Sequence, residues 1–334
     1  MATIVFIDQS FSFDGSTIHT SPLGGIRSAT IQLAEAFAAR GHQVKVYNLC
    51  EKKLCYNDVE WIPLNQCPAS AADLVIANSD PNHLRKATSG KYVVWLHNKI
   101  SIEKFVRRRR IFPLLRFRPE AVFLGPFHAS TCHWLIPFSG RKIIPHGVGE
   151  PFISAPTAST PPKPRAIYTS TPSGGLDAVL KLWLSHIHPA VPDAALHVFA
   201  SNKTIGGLPS NADKDHGVIV HSRVRKALLA EELRRSRVML YPGHRHETFC
   251  FAAAEAISMG VPVVTRGFGS LVERVQDGVT GFVSPDDQSF AAAAVALLTD
   301  DALWRRQHAE ALKVRQTAST WDDRAAEWEQ AFLD

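Results

Sequence analysis

Short apolar runs alternate with stretches of helical periodicity throughout these 334 residues. That alternation constrains the fold more than any other feature. A run of three to five residues that are all or nearly all apolar is buried on both faces. Strands of that kind pair in parallel and are covered by helices. In the first half the runs are 4–7, 44–47, 74–76, 92–96 and 121–124. Residues 28–40 have helical spacing, with Ile31, Leu33, Ala34, Phe37 and Ala38 on one face and Gly41 to end them. In the second half strands are expected at 166–169, 196–200, 218–221, 238–241 and 261–265. Helices are expected at 176–185, 226–235, 249–259, 270–276, 288–298 and 302–315, with an amphipathic stretch at 321–332.

Six prolines fall between 145 and 164, with Ser and Thr filling the gaps, which is linker composition. The expected division is therefore 1–150, a linker at 151–164, a second domain at 165–316, and a terminal helix at 317–334. Two doubly wound α/β domains with a cleft between them are the fold this pattern implies. A hydrophobic fraction of 45% supplies two cores. No window holds about 18 apolar residues without charge, so no membrane-spanning helix is expected. Residues 1–8 have no basic n-region and read as a first strand rather than a signal peptide. The five cysteines, Cys50, Cys55, Cys67, Cys132 and Cys250, lack paired spacing. Neither a disulfide framework nor a metal site is expected, and reduced thiols point to the cytoplasm.

The net charge of +6 is concentrated. Residues 1–150 carry 18 Lys and Arg against 11 Asp and Glu, whereas 151–334 carry 19 against 20. The segment 99–118 holds eight basic residues and one acid, Glu103, and so accounts for the whole excess of the first half. Arg107, Arg108, Arg109, Arg110, Arg116 and Arg118 interleave there with Ile111, Phe112, Leu114, Leu115 and Phe117. This mixture suits docking on an anionic membrane surface. It also suits nucleic acid, and a solvated loop has the same composition.

The chemistry is expected around Glu247 and Glu255. Pro242-Gly-His-Arg-His-Glu-Thr-Phe-Cys250 connects a strand to a helix, and open α/β sheets bind ligands at the carboxyl ends of their strands. Thr248 reads as an N-cap, and the helix start behind it suits a diphosphate. Glu255, two turns further in, is placed to accept from ribose hydroxyls. Two solvated glutamates flanking an alanine-rich core helix would present the same spacing.

The surrounding sequence resembles the EX7E motif of retaining GT-B glycosyltransferases, family 4 in particular. The likeness runs through Glu255-Ala-Ile-Ser-Met-Gly-Val-Pro-Val-Val-Thr265, Gly269-Ser-Leu-Val-Glu273 and Gly278-Val-Thr-Gly-Phe-Val283. It implies two Rossmann-like domains and a nucleotide-sugar donor held mainly by the second. It also implies retention at the anomeric carbon and no metal or other cofactor. Glu247 would bond donor-sugar hydroxyls and Glu255 the ribose, with backbone amides of Thr248, Phe249 and Cys250 at the sugar and phosphates. Gly24 and Gly25, in Pro22-Leu-Gly-Gly-Ile-Arg27, look like the family's diphosphate loop. His97, ending the run 92–96, is similar to the histidine at the sugar's 6-position. His146-Gly147-Val148 matches the turn before the hinge, and the terminal helix would pack back on the first domain.

One departure stands out. The family carries Arg or Lys after the first strand of the second domain, to neutralise the departing diphosphate, where this chain has Ser173 and Gly174. Arg223 is the preferred substitute, and Arg225, Lys226 and Arg245 are the other nearby cations. The resemblance implies transfer to an acceptor hydroxyl, lipid-linked in many relatives, in envelope glycolipid or polysaccharide synthesis at the inner face of the cytoplasmic membrane. A catalytically impaired sugar-nucleotide-binding protein, a nucleotide-sugar epimerase or hydrolase, and a nucleic-acid-directed transferase stand beside it.

Overall fold

The computed structural model describes residues 1–66, 71–86, 89–107, 109–200 and 216–334. Cys67 and Arg108 lie outside the described residues. Two compact units divide the chain: Met1–Gly147 with Ser319–Asp334, and Val148–Ala318.

In the first unit the apolar runs become strands β1 (Thr3–Ile7), β2 (Gln43–Asn48), β5 (Ala71–Asn78), β6 (Ser89–Trp95) and β7 (Glu120–Phe123). With β3 (Leu54–Tyr56), β4 (Val59–Pro63) and β8 (Gly140–Ile143) they form one sheet in the order β3-β4-β2-β1-β5-β6-β7-β8. Every pairing is parallel except β3 with β4. That pair is a hairpin whose turn residues, Asn57 and Asp58, both have positive φ, the requirement of a two-residue turn that matches strand twist. Periodicity does not reveal β4 or β8 because charges interrupt them, nor β3 because it is only three residues long. Edge strand β8 alternates half-buried and exposed residues and carries Arg141 and Lys142, which discourages pairing with another chain.

The helix Gly25–Ala39 covers one face of this sheet, burying Ile31, Leu33, Ala34, Phe37 and Ala38 as the spacing implies. The helix Trp321–Phe332 belongs to the same unit. Its Trp328 packs edge-on against Trp95 at 5.6 Å, and Trp321 lies 5.6 Å from the His146 ring. On its outer side Arg40 pairs with Glu329 at 2.7 Å and with Asp322 at 3.1 Å.

The second unit is a six-stranded, wholly parallel sheet: β9 (Arg165–Tyr168), β10 (Ala195–Phe199), β11 (Val218–His221), β12 (Val238–Leu240), β13 (Val263–Thr265) and β14 (Gly281–Val283). The order β11-β10-β9-β12-β13-β14 is that of a dinucleotide-binding sheet, and it reverses between β9 and β12. The β14 strand is three residues long, too short for a periodic signal. The expected helix over 176–185 ends at Leu182 and continues as a wider turn, Trp183–Ile187. The segment read as a linker begins inside the unit. Phe152, on the helix Glu150–Ser154, is buried in the second core, and Arg315 donates to the carbonyls of Ile153 and Ala155.

Candidate active site

Where a parallel sheet reverses its strand order, the loops on either side diverge and leave room for a ligand at the carboxyl ends. In the second unit that place lies between β9 and β12, and a tyrosine stands at the end of each. Tyr168 donates to the carbonyl of Thr171 at 2.6 Å, and Tyr241 donates to Oε2 of Glu247 at 2.6 Å. Their ring centroids are 6.0 Å apart. Burial pushes both phenols well above the ordinary tyrosine range, so both remain hydroxyl donors. The two loops are joined directly by Gly243 N–H donating to the Gly174 carbonyl at 3.2 Å.

Glu247 is thereby held in place at the switch point. Its backbone closes a turn onto His244 at 3.0 Å, and its carbonyl accepts from Ser270 N–H at 3.0 Å. Gly269 lies so close to that backbone, at φ 62°, that a Cβ would strike Glu247. The motif Gly269-Ser270 therefore serves to seat Glu247.

Position 174 excludes a basic side chain on steric grounds, whereas Ser173 beside it is exposed. A Cβ on Gly174 would lie 2.8 Å from the Tyr241 ring and 3.0 Å from the Tyr168 hydroxyl. The two tyrosines fill the space that an arginine or lysine stem at 174 needs.

Glu255 is buried, with 5% of its surface exposed, and bonds to Lys226 at the start of the helix Lys226–Arg234. Burial pushes its carboxyl up, and the ammonium partly offsets that. Spacing does not reveal this pair because 29 residues separate its members. Arg223 and Arg245 are exposed, the latter 5.9 Å over the Phe268 ring.

The N-cap reading of Thr248 is corrected. The helix is Phe251–Ser258, and Cys250 in front of it takes left-handed angles, φ 63° and ψ 76°. Such angles are uncommon outside glycine and mark a constrained backbone. Thr248 is buried one residue before Phe249, which is clamped by Arg274: the guanidinium lies 4.2 Å over the ring and donates to the carbonyl at 3.1 Å. Arg274 carries no signal in the sequence beyond its place in a helix.

In the first unit the carboxyl ends of β1, β5 and β6 bring together Asp8, Asn78 and His97. Asn78 donates to Asp8 at 2.9 Å and lies 3.2 Å from Nε2 of His97. His97 is buried, stacks on His146 at 5.3 Å, and is pushed down to about 3 by that burial. Gly24 is the extended residue before the helix, Gly25 its first residue, and Arg27 reaches over the Phe11 ring at 4.8 Å.

The basic segment separates into two roles. Arg110 bonds Asp80 at 2.8 Å and is largely covered, so it serves the fold. Arg107, Arg109, Arg116 and Arg118 are exposed. So are Val106, Phe112 and Leu115, each more than 60%, on or beside the helices Ile102–Arg107 and Ile111–Phe117. Among the described residues no helix is long and apolar enough to cross a membrane.

Comparison with known proteins gives these features a context. Residues 166–300 match the family described as glycosyl transferases group 1. A D-inositol 3-phosphate glycosyltransferase from Xylanimonas cellulosilytica is 36% identical over 119 residues, 35% of this chain and 27% of that protein. A glycogen synthase from Mycobacterium tuberculosis is 35% identical over 103 residues, 30% of this chain and 25% of that one. The chain thus spans about a quarter of the length of the curated relatives it matches. Among solved structures, the sucrose-phosphate synthase of Thermosynechococcus elongatus superposes with a TM-score of 0.74 at 16% identity, covering 100% of this chain and 98% of that one. HepE of Anabaena, in complex with UDP-glucose, superposes at 0.72 and 16% identity over 99% and 100%.

Two outcomes follow from the buried charges. Lys226→Ala strands the Glu255 carboxylate, and urea unfolding is expected to show a loss of about 3–5 kcal/mol. The double variant Lys226→Met with Glu255→Leu should recover most of it. His97 and His128, pushed down to about 3 and about 4 by burial, stay neutral in the folded protein. The unfolded chain protonates them near pH 6.5. Stability is therefore fully present above that pH and falls as pH drops from 6.5 towards 5, by up to about 1.4 kcal/mol per unit for each residue. Unfolding at pH 7.5 and 5.5 measures the slope, and His128→Gln should make it shallower.

Proposed function

We propose that this chain, whose residues 166–300 match the glycosyl transferases group 1 family and which has the GT-B fold, moves a sugar from a nucleotide-sugar donor to an acceptor hydroxyl with retention at the anomeric carbon. The observation that carries this reading is Glu247, fixed by the Tyr241 hydroxyl at the end of the switch-point strands. A carboxylate held there accepts from sugar hydroxyls without having to reorganise, which favours the transition state. The UDP-glucose in HepE supports a nucleoside diphosphate sugar as the donor class.

In this reading Glu247 orients the donor sugar, and the backbone of Thr248, Phe249 and Cys250 meets the sugar and phosphates. The Glu255–Lys226 pair lies towards the ribose and diphosphate. The cation excluded from position 174 is supplied by Lys226 and Arg223 beyond β11, where each is placed by a short connection. The roles of Gly24, Gly25 and His97 at the diphosphate and the sugar rest on the family resemblance. So does a transfer that needs no protein nucleophile, metal or cofactor: the acceptor hydroxyl attacks from the face the diphosphate leaves. Water must be kept from that face, or the donor is hydrolysed.

A second reading has one observation in its favour, the glycine at 174. It is a protein that binds a nucleotide sugar without transferring it. A panel of nucleotide sugars separates the two, with calorimetry for binding and nucleoside diphosphate release for turnover. Transfer predicts release that depends on an acceptor. Glu247→Gln should lower kcat by roughly 100-fold or more, and Tyr241→Phe by about 10-fold, both without loss of fold. Binding with no release by any acceptor class, or an active Glu247→Gln, overturns the transfer reading.

The exposed arginines and apolar side chains of 102–118 support a lipid-linked acceptor and attachment to the anionic inner face of the cytoplasmic membrane. Flotation with phosphatidylglycerol vesicles should capture the protein in a salt-sensitive way, and Phe112→Ser with Leu115→Ser should release it. Equal capture by neutral vesicles, or none by anionic ones, removes this part of the reading.

A further inference from the structure

The second unit has a cavity of about 390 Å³ at the far end of its sheet from Glu247. Lys163, Arg165, Arg234 and Arg235 line it, together with Ser159 and Thr160. Lys163 and Arg165 lead into β9, and Arg234 and Arg235 close the helix Lys226–Arg234. Arg165 is the most covered of the four, its side chain 13% exposed, and it bonds Glu232. Its Nε is buried without a hydrogen-bond partner among the described residues. Glu231 takes Arg234 at 2.7 Å and Arg235 at 2.9 Å. Lys163 is exposed and makes no ion pair among the described residues. Four cations thus meet two carboxylates, and neither carboxylate lines the cavity. An excess of two positive charges faces it. The carbonyl end of the helix returns about half a charge, which does not cancel that excess. Cations gathered round a concave surface repel one another and focus a positive potential into it, and an anion relieves both.

We propose that this cavity is a binding site for a sugar phosphate, with the phosphate among Lys163, Arg165, Arg234 and Arg235 and the sugar against Ser159 and Thr160. A phosphate monoester carries a charge of about −1.5 to −2 at pH 7, which matches the excess. Guanidinium groups take phosphate oxygens in pairs, and a lysine adds a movable point charge. The volume sets the size of the ligand. Small-molecule sites run from about 300 to 1,000 Å³, so a cavity at the low end suits one sugar ring with its phosphate. Inorganic phosphate alone would leave the two hydroxyls and much of the wall in water. The place separates this site from sugar transfer. Open α/β sheets take their substrates at the carboxyl ends of their strands, whereas Arg165 opens β9 and Tyr168 closes it. The site stands whether or not the chain transfers a sugar.

Calorimetry at physiological ionic strength tests the site with glucose 6-phosphate, glucose 1-phosphate, mannose 6-phosphate, inorganic phosphate and glucose. Saturable binding of at least one sugar phosphate at one site per chain is expected. Inorganic phosphate should bind roughly 10-fold more weakly, and glucose should give no heat. Lys163→Ala and Arg235→Ala, both at exposed positions, should each weaken the sugar phosphate by about 10-fold, and Lys163→Arg should keep most of the affinity. Saturating UDP should leave the affinity unchanged. No binding by any of the three sugar phosphates overturns the proposal. So does an affinity unmoved in both alanine variants, or one abolished by UDP, since the ligand then lies elsewhere. Inorganic phosphate binding as tightly as every sugar phosphate overturns the assignment of the ligand. The wild-type titration needs no variant, so the test stands even if a variant does not fold.

Discussion

A polar group that leaves water must be met by a partner of matching kind. Most of what distinguishes this protein follows from meeting that demand three times. Asp8, at the end of β1, is met by Asn78 at the end of β5. Glu247, in the loop after β12, is met by Tyr241, and Glu255, inside the helix Phe251–Ser258, by Lys226. The first and third partners come from other segments of the chain and tie two elements together, whereas Tyr241 and Glu247 brace a single connection. The loops at the switch points owe their shape to these ties as much as to their own turn preferences.

The fold was legible where burial acts on both faces of a strand. Runs such as 4–7 and 92–96 have no solvent side, and their composition says so. It was not legible where a strand lies at an edge, as with Arg141 and Lys142 on β8, or where only three residues pair, as on β14. The site was half legible. Glu247 and Glu255 stand out by spacing and by their place between strand and helix. Their partners do not, because a tyrosine closing an apolar run reads as core and a lysine opening a helix reads as surface. Asn78 left one trace, a polar residue ending a run of branched and small ones. Thr248 misled because capping rules are local, whereas the helix start is set by the left-handed Cys250 and the clamp of Arg274 on Phe249.

Position 174 shows how one such tie excludes another solution. A basic side chain there and a tyrosine at 241 compete for the same volume. Once the phenol is used to fix Glu247, the neighbouring residue at 174 must be a glycine.

The helix Trp321–Phe332 has a consequence for how the protein is made. It completes the first unit, yet every residue of the second unit precedes it in the chain. While a ribosome is producing residues 148–318, the aromatic seat around Trp95 and His146 has no Trp321 or Trp328 to cover it. Domains that are continuous in sequence can finish folding in the order of synthesis. Here the earlier unit must wait with an open apolar face until the later one has been translated, so the two mature almost together.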